Sequence, residues 1–348
     1  MIFLTTLICF MALSIASYAQ KGLIKKLLSN EKDTTRKASF LPVPVIGYSQ
    51  EIGFEFGAGA LYSFYIDRKD TLNRSSNFSG TATYSTKKTY NLTLKGDAWL
   101  PGNRFHLIGE LRFKKMPFNF YGIGNNTLNA DADRLVQTQF KALFEAEKMI
   151  APSFYTGLSV GYESYKYSDQ VIGGIFTTGT YTDKPGGNVG FIGISQSHDT
   201  RNSNNYPTKG FFGRVTFQVA PGLETNDYSG TQTKVNLRTF FPLSNKFVLA
   251  AQGIYYTIQG KNVPFYLLPQ LGNDEIMRGY YTGRYRDENL LALQTELRYR
   301  YNNRFGAVLF VGTGTVFGQS AFAVDSFKPN YGGGLRYFFD PAKGLSVR

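Results

Sequence analysis

Few side chains in this 348-residue chain are placed to do covalent chemistry. Its two histidines, His106 and His198, have no acidic cluster beside them in sequence, which argues against a zinc site or a histidine-based triad. The only cysteine, Cys9, lies inside an uncharged apolar N-terminal run, so the remainder has no disulfide framework, no thiol chemistry and no lipidated cysteine. Gly312-Thr313-Gly314 and Gly332-Gly333-Gly334 sit within strand patterns with no helix after them, and cradling a phosphate would need that helix. Glycine in such strands makes room for something packed against the wall. The segment Ile276-Met277-Arg278-Gly279-Tyr280 supplies a candidate occupant, because it places a guanidinium and a glycine in one long connection between two alternating strands. No cofactor, no metal and no enzymatic activity are expected.

The compartment follows from residues 1–19. Ile2 to Ala19 is apolar and uncharged and ends Ser17-Tyr18-Ala19, with small residues at the two positions a signal peptidase inspects. Cleavage before Gln20 is expected, followed by a basic leader over 20–40 that has room for a short amphipathic helix at 23–28. The formal charge is +13. An exported chain rarely meets nucleic acid, so this charge is assigned to a basic lumen and the basic leader, and no nucleic-acid partner is expected.

Downstream of Ala19 no apolar run reaches the length of a membrane helix, and the mean hydropathy of −0.23 alone would suggest a soluble protein. The aromatics contradict that: 24 Tyr and 30 Phe with 37 Gly fit strands with an aromatic outer face and a crowded interior. Over 51–66 the even positions run Ile52, Phe54, Phe56, Ala58, Ala60, Tyr62, Phe64 and Ile66, against small or polar odd positions. The same period recurs from Phe105 and from Thr231. Strands this long, with charges on one side only, fit a closed sheet in lipid, where every backbone group must be paired internally.

Counting such segments over 41–348 gives about fourteen complete strands and a stub from Leu345, an antiparallel transmembrane β-barrel with one short-turn rim and one long-loop rim. The long loops are placed at 115–133, 168–186 and 259–287. On the strand after the last of these, lipid-facing Leu291, Leu293, Leu297 and Tyr299 turn Gln294, Glu296, Arg298 and Arg300 inward.

The run Leu271 to Tyr280 resembles the arginine-glycine-aromatic loop motif of the BamA/TamA superfamily of outer-membrane barrels, also called the bacterial surface antigen family. Asp199-Thr200-Arg201 with Pro207-Thr208-Lys209-Gly210 is similar to the family's segment before the ninth strand. Tyr331 to Tyr337 looks like its glycine-rich strand near the C-terminus, and Phe120 to Asn125 resembles a recurrent loop element. The resemblance implies a sixteen-strand barrel whose loop, carrying Arg278, Gly279 and Tyr280, folds into the lumen and pairs its arginine with an acidic wall residue. Where the family has Phe-x-Asp-x-Gly, this chain reads Phe310-Val311-Gly312-Thr313-Gly314, so Glu296 is the substitute partner, with Gly312 and Gly314 leaving space for the loop backbone. The other place for Arg278 is a solvated loop tip.

The function so implied is assembly or translocation of outer-membrane components, including protein insertion, through a seam between first and last strands. The partners would be outer-membrane lipid and periplasmic or outer-membrane proteins. The stretch 20–40 is too short for a periplasmic substrate-binding module, and the sequence is expected to be truncated at Arg348. The rival expectation is a passive pore or structural outer-membrane barrel.

Overall fold

The computed structural model describes residues 29–30, 35–129, 132–168, 171–222, 228–273, 275–318 and 326–347. The expected signal segment 1–19 and the helix at 23–28 lie outside these residues. The described chain is almost entirely antiparallel strand. In order these are β1 Ser39–Ser49, β2 Gly53–Phe64, β3 Ser76–Ser85, β4 Tyr90–Trp99, β5 Phe105–Phe120, β6 Asp133–Ala151, β7 Phe154–Ser168 and β8 Asn188–Asp199. They continue as β9 Gly210–Ala220, β10 Ser229–Pro242, β11 Phe247–Lys261, β12 Asn289–Arg300, β13 Phe305–Phe317, β14 Lys328–Asp340 and β15 Leu345–Val347. Each strand pairs with its sequence neighbour in a single fifteen-stranded sheet, and no ladder joins β1 to β14 or β15.

Alternation sets which way each side chain points. Phe54, Phe56 and Tyr62 on β2, Leu111 and Phe113 on β5, and Leu293 on β12 lie exposed on the outer face. Their neighbours His106, Gln294 and Glu296 are buried on the inner face. A soluble protein would have the reverse, so the outer surface is one that only lipid would cover. Ile52 departs from the expected stripe: it lies in the β1–β2 turn and is buried.

Strand ends agree with the sequence reading to within a few residues, except at β5. That strand continues through Met116-Pro117-Phe118 to Phe120, so the following loop begins at 121 rather than 115. Pro117 is tolerated there because β5 pairs over its whole length with the long strand β6 and, beyond Tyr90, has no partner on the β4 side to need the missing N–H.

The apolar core lies inside the barrel. Loop 262–288 carries Phe265, Tyr266, Leu267 and Leu268 against Phe120, Leu135, Tyr167, Phe191 and the one-turn helix Ile175–Thr178, whose Phe176 is fully buried. Further along the loop, Leu271, Ile276 and Met277 pack on Leu290, Ala292 and Val316 of β12 and β13. The loop is therefore held by burial on both of its arms, each large apolar side chain contributing roughly 1.5–3 kcal/mol.

Candidate functional site

The tip of loop 262–288 is a tight turn made by backbone geometry. Met277 has φ 55° and Gly279 φ 100°, and the Tyr280 N–H donates to the Met277 carbonyl at 3.3 Å. A Cβ on Gly279 would meet nothing within 4 Å, so this glycine is not there for close packing. The glycine is required by its left-handed φ. Tyr280 Oη donates to the Pro329 carbonyl at 2.7 Å, which fastens the tip to β14.

This turn delivers Arg278 to the lumen wall, where its Nη2 lies 2.6 Å from Glu296 Oε1. Glu296 is not an exclusive partner. Its other oxygen accepts from Arg298 Nε at 2.9 Å and from Arg336 Nη2 at 3.3 Å, so one carboxylate faces three guanidiniums. Arg278 also stacks on Phe310, with its guanidinium carbon 3.7 Å from the ring centroid. Phe310 pairs with Glu296 across the β12–β13 ladder and with Gly332 across β13–β14. A Cβ on Gly332 would come 2.7 Å from the Phe310 ring, so the glycine-rich strand makes room for the aromatic platform under the arginine.

The two glycines on β13 have different occupants. A Cβ on Gly314 would sit 2.9 Å from the Leu271 side chain, so this glycine accommodates the loop, though through a side chain and not through its backbone. Gly312 does not face the loop backbone. Its space holds the Asn330 side chain, at 2.4 Å from an added Cβ, and Asn330 in turn donates to the Arg278 carbonyl at 3.4 Å.

The segment before β9 forms a second insert, at the short-turn end. Arg201 Nε and Nη2 donate to the two oxygens of Asp199 at 2.9 and 2.7 Å, and Arg74 pairs with the same carboxylate while donating to the Arg201 carbonyl at 3.1 Å. Asn204 and Asn205 then reach Ser75 and Asn77 across the lumen. Gly210 has φ 104°, and a Cβ on it would stand 2.4 Å from the Thr200 carbonyl, so the segment can fold back only with glycine there. Arg298 joins the two inserts, because it holds Glu296 and also donates from Nη1 to the Pro207 carbonyl at 3.3 Å. Asp199, Arg201, Pro207 and Gly210 thus close one end of the lumen and Arg278, Gly279 and Tyr280 its middle.

Several participants escaped the sequence reading. Arg336 lies within a motif singled out for its glycines, and its inward position was available from the same alternation that turned Glu296 inward. Arg74 sits in the 65–75 loop, where no periodicity marks it. His106 is a correction: Nδ1 lies 2.9 Å from Glu147 and Nε2 3.3 Å from Asp97, carboxylates from neighbouring strands that sequence proximity could not bring together. Ser195 and Ser197 donate to Glu147 and not to the imidazole, so a nucleophile–base pair is not assembled there. Among the described residues no group of three or more His, Cys, Asp or Glu side chains is arranged to hold a metal ion.

The model of the Omp85 superfamily domain matches residues 70–337. Among solved structures, the chain is similar to BamA from Haemophilus ducreyi lacking POTRA domains 1-3, with TM-score 0.53 and 14% identity over 87% of this chain and 64% of that one. It is also similar to CdiB from Escherichia coli, with TM-score 0.54 and 11% identity over 86% and 56%. CdiB from Acinetobacter baumannii follows, with TM-score 0.50 and 11% identity over 87% and 54%. At such identities the likeness is one of fold, and this chain spans between about half and two thirds of each of those chains. None of the curated proteins matches it. With the family model covering most of the sheet and both lumen inserts, the chain belongs to the Omp85 superfamily.

Proposed function

We propose that this protein is a non-enzymatic outer-membrane barrel that acts in the assembly or translocation of outer-membrane components, with its working surface at the seam between first and last strands. The observation that carries the reading is the filled lumen: loop 262–288 is anchored by Arg278 to Glu296 and by Tyr280 to β14, and the 200–209 segment is tied to Ser75 and Asn77. A passive pore needs a water-filled passage, whereas here two inserts cross it. Transport along the wall then remains, and the outer edge of β1, which pairs only with β2 in the described sheet, is a place where a strand could be added by backbone hydrogen bonding. Lipid and protein partners of the outer membrane belong to the same reading.

The test is genetic and chemical together. Loss of the gene in its native host should deplete particular outer-membrane components, read by mass spectrometry of purified outer membranes. Purified protein in a planar bilayer should show no steady large conductance. An unaltered outer membrane with steady large openings would establish the passive-pore alternative.

A further inference from the structure

Between loop 262–288 and the inner wall of β4–β6 lies a second cavity, of about 480 Å³, separate from the Glu296 cluster. Its charged lining residues are Arg112, Lys114 and Arg286, and no carboxylate lines it. Arg112 is offset by Glu110 at 2.5 Å, a carboxylate already shared with Lys141 at 3.7 Å. Among the described residues no carboxylate lies within salt-bridge distance of Lys114 or Arg286. Arg286 is 2% exposed and rests against the rings of Phe118, Phe120 and Phe265, and among the described residues its side chain makes one hydrogen bond, a long one of 3.4 Å to the Gly283 carbonyl. A guanidinium that deep normally has a partner, because desolvating it alone costs several kcal/mol. The side chains of Gln270 and Thr282 also line the cavity, and neither makes a hydrogen bond to the described residues.

We propose that this cavity binds a phosphorylated organic ligand, with its phosphate between Lys114, Arg112 and Arg286 and its organic part against Phe118 and Tyr281. Lys114 and Arg286, for which no described carboxylate lies within salt-bridge distance, supply charge that a phosphate neutralises, and an arginine's guanidinium fork matches its oxygens. The volume falls in the range of small-molecule pockets, roughly 300–1,000 Å³, and exceeds what a bare ion needs. Chemistry of this kind occurs both in soluble phosphate esters and in phosphomonoester lipid headgroups.

Titration calorimetry on the full-length protein can separate the sources: inorganic phosphate and glycerol 3-phosphate in one arm, and phosphatidic acid in phosphatidylcholine bicelles in the other, at matched ionic strength. Saturable binding in either arm, weakened about tenfold or more by Lys114→Gln and unchanged by Lys246→Gln in an exposed turn, supports the site and names the source. Arg112→Gln gives the same reading if the first variant folds poorly. Binding no stronger than that of chloride in both arms, or equal binding by wild type and both lumen variants, overturns the proposal and leaves the reading of the barrel's function untouched.

Discussion

Arg278 and Glu296 form a pair whose two halves are not equivalent. Removing one partner of a desolvated pair typically costs about 3–5 kcal/mol, since the other is left buried and uncompensated. Here Arg278→Ala leaves Glu296 with Arg298 and Arg336, and the loss is the contact itself plus the stacking on Phe310. Glu296→Gln instead leaves three guanidiniums facing one another. Thermal unfolding in detergent should therefore show a drop of about 1–3 kcal/mol for Arg278→Ala, from a charge-assisted hydrogen bond. Glu296→Gln should reach about 3–5 kcal/mol, with the exposed Arg68→Ala near zero. Arg284 cannot serve as that control, because it donates to the Thr127 carbonyl at 2.7 Å and stacks on Tyr121 and Tyr285. Equal losses for the two site variants would show that the other arginines do not share the carboxylate. Gly332→Val is a second check at this scale. Its side chain would displace the Phe310 ring, so it should lower stability and be partly suppressed by Phe310→Leu; additive losses would disconnect the glycine from the platform.

The strands were legible because their period is short and regular: a two-residue repeat alone turns Glu296 inward. The length of β5 was not, because Met116-Pro117-Phe118 carries a turn-like proline whose tolerance depends on which neighbouring strand is present beside it. Side-chain convergence was also only partly legible. Glu296 could be placed on the wall, but the meeting of His106 with Asp97 and Glu147 depends on the register between adjacent strands, and that of Arg298 with Pro207 on where a distant loop folds. At this scale loop 262–288 is the element to perturb. Gly314 faces Leu271, with Ala292 Cβ 3.1 Å from an added Cβ, so a branched side chain there has no room unless the loop moves. Gly314→Val should expel the tip, making 262–288 sensitive to added protease and raising bilayer conductance, while the sheet spectrum by circular dichroism stays unchanged. A variant as protease-resistant as wild type would mean that Phe265 to Leu268, not the tip, hold the loop in place.

For the molecule as a whole, the ends of the sheet are where stability and the proposed activity meet. At the short-turn rim Lys343 Nζ donates to the Lys37 carbonyl at 2.7 Å, to Ser39 Oγ at 2.8 Å and to Asp340 at 2.7 Å, and Ser39 donates to the same carboxylate. This clasp joins β1 to the β14–β15 turn where no backbone ladder does. Elsewhere along the wall each strand is held by ladders on both sides, as β6 is by β5 and β7 over nearly all of its length. Local opening should consequently begin at the seam and not in the middle of the sheet. A charge-assisted hydrogen bond contributes about 1.5–3 kcal/mol, and each 1.4 kcal/mol is tenfold in an equilibrium. Lys343→Met should thus speed amide exchange over 39–49 by about ten- to a hundredfold, with 133–151 unaffected. If the seam is the working surface, the same variant should also take up an added strand-forming peptide more readily, read as renewed protection of 39–49. Uniform acceleration around the barrel, or none at 39–49, would show that the clasp does not govern the seam.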